Sequence, residues 1–290
     1  MNRIILSLTA LILITSCNPL KQINTTYQTA ESNYSSQSYE TAYNNYNSLI
    51  QLYKGKGMDI PNDIYLKAAE CASKLGNTSD ASGLFQDAMK DSLSVVAVKG
   101  YINSLKKEQN YTDVVKVLSD KQDFLTENGE EAYLKLEKFE VAIAQNDTKE
   151  ILATYSDIDT LSESQVLAVI NAMQESDNDK GAMNLANKTL KTNPKFYDIK
   201  EWKAVYHYKF AEKWYKSEMD KYNKDKNYTA YVYLKRELKK ISANYRVSKD
   251  LFEELHKVYP SETKYIKYLK NTYLRLELDK QAEAMDKLLK

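Results

Sequence analysis

Apolar and small residues recur along most of this chain at intervals of three and four, the spacing that gathers them on one face of an α-helix. The stretch SYETAYNNYNSLI, Ser38 to Ile50, is the clearest case, with Tyr39, Ala42, Tyr46 and Leu49 in step. A second stretch, YLKAAECASKLGNTSDASGLFQDAMK, repeats the pattern with Ala69, Ala81, Phe85 and Ala88, and adds Gly76 where a left-handed turn between two helices is expected. Looser versions close at Tyr111, Val114 and Leu118, at Ile151, Tyr155 and Ile158, and at Ala182, Ala186, Leu190 and Pro194. The anchors at 42, 81, 114, 151 and 182 lie 39, 33, 37 and 31 residues apart. That recurrence predicts a tandem of helix pairs. Beyond Lys195 the pattern predicts long helices over Tyr197 to Tyr222 and Tyr228 to Ile241. A further helix is expected from Arg246 to Val258, ended by Pro260, then a last pair over Ser261 to Glu277 and Asp279 to Leu289 with Ala282 at the crossing.

Composition agrees with an all-α chain. Of 290 residues 43% are hydrophobic and 28% charged, enough apolar surface for a folded core. Seven Gly and four Pro are too few for a protein of many tight β turns or for glycine-rich nucleotide loops. The net charge of +1 hides an asymmetry: residues 195 to 290 carry 23 Lys/Arg against 15 Asp/Glu, and residues 1 to 194 carry 18 against 25. Both Trp, both His and 13 of the 24 Tyr also lie after residue 194. A boundary at 194/195 is therefore expected, with repeats over 27 to 194 and a basic, aromatic-rich helical region over 195 to 290.

The small residue at the helix crossing, the aromatic four later and the small or aliphatic residue three after that resemble the tetratricopeptide (TPR) repeat, about 34 residues long. The resemblance implies an α-solenoid of antiparallel helix pairs built from degenerate repeats. One pair cannot bury its apolar face alone, so stacked pairs share a continuous core. It also implies a role in binding other proteins, without naming them.

The chain opens differently. Arg3 precedes an apolar run from Ile4 to Ile14, shorter than the roughly 20 residues a spanning helix needs and patterned like a secretory signal. The residues Ile14, Thr15, Ser16 and Cys17 resemble the lipobox of bacterial lipoproteins, in which the cysteine is acylated and the signal is cut just before it. The resemblance implies a signal peptide over 1 to 16, lipidation (palmitate among the acyl groups) at Cys17 and a polar tether over 17 to 26. The alternative is a signal cut elsewhere, with Cys17 incidental. The low-Gly, Asn/Lys/Tyr-rich sequence resembles lipoproteins of the Bacteroidota. No acidic residue follows Cys17 before Glu31, and Asn18 stands where the enterobacterial retention signal has aspartate. An outer-membrane lipoprotein facing the periplasm is the expectation.

No catalytic pattern stands out. His207 and His256 are 49 positions apart and share no H-E-x-x-H-like spacing, so no metal is expected. Cys71 sits in CASKLG as a small helix-packing residue, and Glu130 with Glu131 and Glu253 with Glu254 read as solvated faces. No cofactor is expected, nor an enzyme. The richest segment is YDIKEWKAVYHYKFAEKWYKSEMDKYNK, Tyr197 to Lys224. Trp202, Tyr206, Phe210 and Trp214 step by four and read first as a core stripe. One helix hardly buries aromatics on two faces, so Tyr208 and Tyr215 are expected to stay partly exposed beside lysines. Tyr208, Lys209, Lys213, Trp214, Tyr215 and Lys216 are accordingly the candidate contact residues, for an acidic protein surface or, alternatively, a glycan or peptidoglycan that stacks on rings. Nucleic acid suits neither the compartment nor the charge. Asp91-Ser92-Leu93 and Asp159-Thr160-Leu161 resemble the short O-glycosylation acceptor of Bacteroidota periplasmic proteins, and Ser92 and Thr160 could equally cap helices. The expected function is a membrane-anchored scaffold that recruits other envelope proteins.

Overall fold

The computed structural model describes residues 19–289; the apolar run Ile4–Ile14 and Cys17 lie outside the described residues. Among those described there are fifteen α-helices and no strand. Two compact units divide after Val141, and each is an all-α solenoid of antiparallel helix pairs.

In the first unit α1 (Pro19–Ser35) pairs with α2 (Tyr39–Gly55), α3 (Asn62–Leu75) with α4 (Thr78–Ala88), and α5 (Val95–Lys107) with α6 (Tyr111–Asp120). The short α7 (Gln122–Glu127) leads into α8 (Glu131–Ala144), inside which the division falls. The second unit contains α9 (Thr148–Thr154), which passes into a 3-10 turn, then the pairs α10 (Glu163–Glu175) with α11 (Asp179–Thr192), α12 (Tyr197–Lys224) with α13 (Tyr228–Val258), and α14 (Thr263–Arg275) with α15 (Asp279–Leu288).

Among the described residues one turn recurs, with Gly57 and Gly129 repeating it after α2 and α7. Gln37, Gly76, Gln109, Asn146, Asp177 and Glu277 each take positive φ just after a first helix. In every case the next amide donates back to a carbonyl five residues earlier: Ser38 to Asn33, Asn77 to Ala72, Asn110 to Leu105, Asp147 to Ala142, Asn178 to Met173 and Leu278 to Tyr273, all at 2.9 Å. This is the 6→1 bond of a Schellman ending. Five residues past each turn residue stand Ala42, Ala81, Val114, Ile151, Ala182 and Ala282, each buried. These are the anchors read from the sequence. Close packing around them leaves no spare room: a Cβ on Gly100 of α5 would meet the Phe85 ring at 2.3 Å.

Tyrosines tie successive pairs together. Tyr27, Tyr34 and Tyr43 donate to Asp63, Glu70 and Asp80, each 36 or 37 positions on, and Glu31 accepts from both Tyr46 and Lys67 at 2.6 Å. Burial comes first in raising the Tyr46 hydroxyl, reinforced by its bond to Glu31.

Three expectations are corrected. Residues 19 to 26, read as tether, belong to α1, and Ile23 is buried in the first core cluster beside Tyr27 and Ala30. The break between Ile241 and Arg246 is absent, because α13 carries Leu234, Leu238, Ile241, Tyr245, Ser248, Phe252 and Leu255 in an unbroken four-three alternation facing α12. The boundary at 194/195 is a change of chemistry within one unit: α10 reaches α12 through Glu163, which accepts from the Asp198 amide, and Gln174, which accepts from Trp202 Nε1.

Candidate functional site

The four-residue steps of α12 set out a ladder of rings. Trp202 stacks on Tyr206 at 5.4 Å, Tyr206 on Phe210 at 6.2 Å with planes 7° apart, and Phe210 meets Trp214 edge-on at 5.7 Å. Phe210 is 44% exposed, so the ladder lies on an open face. Its first two rings, Trp202 and Tyr206, form one wall of a groove of about 410 Å³ between α10 and α12, with Leu167, Asn171 and Gln174 opposite and Lys209 and Lys264 at the edge. Glu201 holds Lys264 in an ion pair and also accepts from the Tyr265 hydroxyl at 2.6 Å. The floor is apolar and aromatic and the rim carries both amides and charges of either sign, which suits an extended polar chain with an aromatic or ring-faced anchor.

The opposite face of α12 is a packing face. Tyr208 meets Tyr245 and Tyr268 edge-on at 6.0 and 5.0 Å, and Tyr215 lies under the Arg275 guanidinium at 4.4 Å. Arg275 also donates twice to Glu212, at 2.7 and 2.8 Å, and Tyr245 donates to the same carboxylate. Tyr208 and Tyr215, half-buried, pack with Trp214 against the core cluster of Ala211, Ile241 and Tyr245, whereas Trp202 and Tyr206 of the stripe read as core line the groove and Phe210 is exposed. The reason is the four-three alternation of Ala204, Tyr208, Ala211, Tyr215 and Glu218, which matches that of α13; steps of four alone drift around the helix away from a straight neighbour. Of the candidate residues only Lys209 lines the groove; Trp214 packs beside the cluster at the ladder's end, and Lys213 and Lys216 are exposed.

The remaining candidates stay apart from this site. Ser92 and Thr160 are exposed in the loops before α5 and α10, and the caps of those helices are Ser94 and Ser162, the latter in a full capping box with Gln165. Cys71 is fully buried, and burial, with the nearby Glu70 adding to it, pushes its thiol up to about 11. His207 bonds Asn244 at 2.9 Å, and burial holds its ring below the usual histidine value. No group of three or more metal-ligating side chains occurs among the described residues, and no helix there is long and apolar enough to cross a membrane. A second groove, of about 390 Å³ between Gln86, Tyr101 and Lys121 in the first unit, has no stacked wall.

No family model matches this chain, and no curated protein does. Among solved structures it is similar to a TPR-repeat protein from Bacteroides fragilis NCTC 9343, with 12% identity over 87% of this chain and 98% of the other and a TM-score of 0.37. It is also similar to a monomeric mutant of IFIT1 solved with Gppp-AAAA (14% identity, 91% of this chain, 59% of the other, TM-score 0.35). The TPR domain of P58(IPK) is a third (12%, 92% of each chain, TM-score 0.30).

Proposed function

We propose that this protein is a lipid-anchored, non-enzymatic adaptor of the bacterial envelope, held through Cys17 in the periplasmic leaflet of the outer membrane, and that it binds a segment of another envelope protein in the α10–α12 groove. The observation that supports it is the Trp202–Tyr206 wall facing Asn171 and Gln174, a surface with aromatic contact area at its base and hydrogen-bonding groups along its edge. The test is a crosslinking pull-down from envelopes with Asn171→Arg and Lys209→Glu, two exposed rim changes. Recovery of the specific partners should fall at least fivefold with helicity unchanged; undiminished recovery places binding elsewhere. A glycan is the second reading, favoured by the same stacked rings. Peptidoglycan fragments that quench Trp202 emission in the intact protein, and fail to do so after Asn171→Arg, would decide for it.

The anchor has its own test. Cys17→Ser should abolish acylation and move the chain from the membrane to the soluble fraction, or leave it retained with its signal uncut. Unchanged fractionation of a processed chain would defeat the lipoprotein reading.

A further inference from the structure

The longest helices among the described residues are α12 and α13. At 28 and 31 residues these helices are about 42 and 46 Å long. Arg275 reaches Glu212 and Tyr215 of the hairpin, and Leu276 packs against its Ala211, Ile241 and Tyr245 cluster. Beyond them, among the described residues, every hydrogen bond, ion pair and ring contact of residues 216 to 240 stays within the hairpin. About 13 Å of α12, from Lys216 to Lys224, therefore makes its hydrogen bonds, ion pairs and ring contacts within the hairpin, among the described residues.

What this end exposes is of one kind. Tyr228 is 82% exposed, Val232 50%, Tyr231 49% and Tyr233 45%. Around them residues 216 to 240 hold eight Lys/Arg against four Asp/Glu. Two of the four acids do not reach the surface: Glu218 and Glu237 are 4% exposed, turned into the seam, with Lys221 on the first and Arg236 and Lys240 on the second. Lys216, Lys224, Lys226, Lys235 and Lys239 remain exposed against Asp220 and Asp225 only.

We infer that this tip docks on an anionic phospholipid bilayer. Three features favour a bilayer over an acidic protein. The surface is the exposed end of a two-helix hairpin. Its exposed rings are tyrosines, which settle at the headgroup level with the ring in the apolar boundary and the hydroxyl in water. Its cations are lysines in all but one case, and lysine is depleted at protein interfaces, whereas it snorkels readily to lipid phosphates. Clustered lysines gain from the negative surface potential of such membranes. The inference goes beyond the adaptor reading and requires no lipid on Cys17.

The test uses the full chain with Cys17→Ser, in which the remaining thiol, Cys71, is buried. An environment-sensitive fluorophore is placed by Thr229→Cys at the tip or by Lys180→Cys on α11, both exposed positions. Vesicles of phosphatidylglycerol and phosphatidylethanolamine should blue-shift the probe at 229 and leave the one at 180 unchanged, phosphatidylcholine vesicles should shift neither, and added salt should weaken the effect. Reversing Lys224, Lys226 and Lys235 to Glu should lower the partition coefficient by about tenfold or more. Tyr228→Ser, which touches no core position, should lower it with the charge intact. The inference is overturned if anionic vesicles leave position 229 unshifted, if neutral vesicles shift it equally, or if polyglutamate shifts it and vesicles do not.

Discussion

Phe252→Ala is expected to destabilise the second unit by about 3–5 kcal/mol, the range for emptying a closed aromatic site. Phe252 is fully buried, its ring stacked on Tyr268 at 4.6 Å with planes 9° apart and tilted against Tyr265 at 5.9 Å. It fills the space between Ala204 of α12 and Leu255, Leu269 and Tyr273 of α13 and α14. Collapse into the cavity is hindered on every side. Ala204 is too small to swing inward, and the Tyr265 and Tyr273 rings are held by their hydroxyls, which donate to Glu201 and Glu253. A loss of that size is a large fraction of a typical domain stability of about 5–15 kcal/mol. Because Trp202 and Trp214 are the only tryptophans and both lie in this unit, their emission during urea unfolding reports on it selectively. The midpoint should drop with the slope preserved, and Phe252→Leu should recover most of the loss. An unchanged midpoint would mean that α13 and α14 do not pack as described.

The repeats were legible because their anchor is a steric requirement. Ala42, Ala81 and Ala182 had to be small where helices cross, and the sequence shows it directly. The turn five residues before each anchor was visible only at Gly76. The same left-handed conformation falls on Gln37, Gln109, Asn146, Asp177 and Glu277, where nothing but position marks it; the Schellman bonds offset the modest strain on a side chain there. Tyr34 and Tyr43 tie to acidic groups on the adjoining helix pair, and Tyr245 to Glu212 on the partner helix of its own pair. The groove was obscured by a choice of period. Steps of four through Trp202, Tyr206, Phe210 and Trp214 look like a buried stripe, and only the three-four alternation of α13, running unbroken to its end, shows which face of α12 is taken.

Arg275→Met should cost about 2 kcal/mol at neutral pH, and the cost should shrink as the solution is acidified. Burial alone would raise the Glu212 carboxyl, but the paired hydrogen bonds of Arg275, the Tyr245 hydroxyl and the guanidinium charge outweigh it and hold the group below the usual carboxylate value. A carboxyl whose folded value is depressed adds stability above its unfolded value, about 4.3 for glutamate, and that stability is lost as pH falls through the lower folded value. Below that window Glu212 is neutral in both proteins, and the variant lacks only the guanidinium's contact with the Tyr215 ring, worth about 0.5–1 kcal/mol. The magnitude at neutral pH is set by charge-assisted hydrogen bonds, about 1.5–3 kcal/mol, with solvent screening keeping it from the upper end because Glu212 and Arg275 are 29% and 36% exposed. Arg275→Lys should restore only part, since an ammonium cannot offer two parallel donors and the ring contact together. Urea midpoints followed by tryptophan emission, from neutral pH down to the acid side of the Glu212 titration, give the comparison. A cost that stays constant across that range would assign the stabilisation to packing of the Arg275 side chain against Tyr215, with no share from the Glu212 pair.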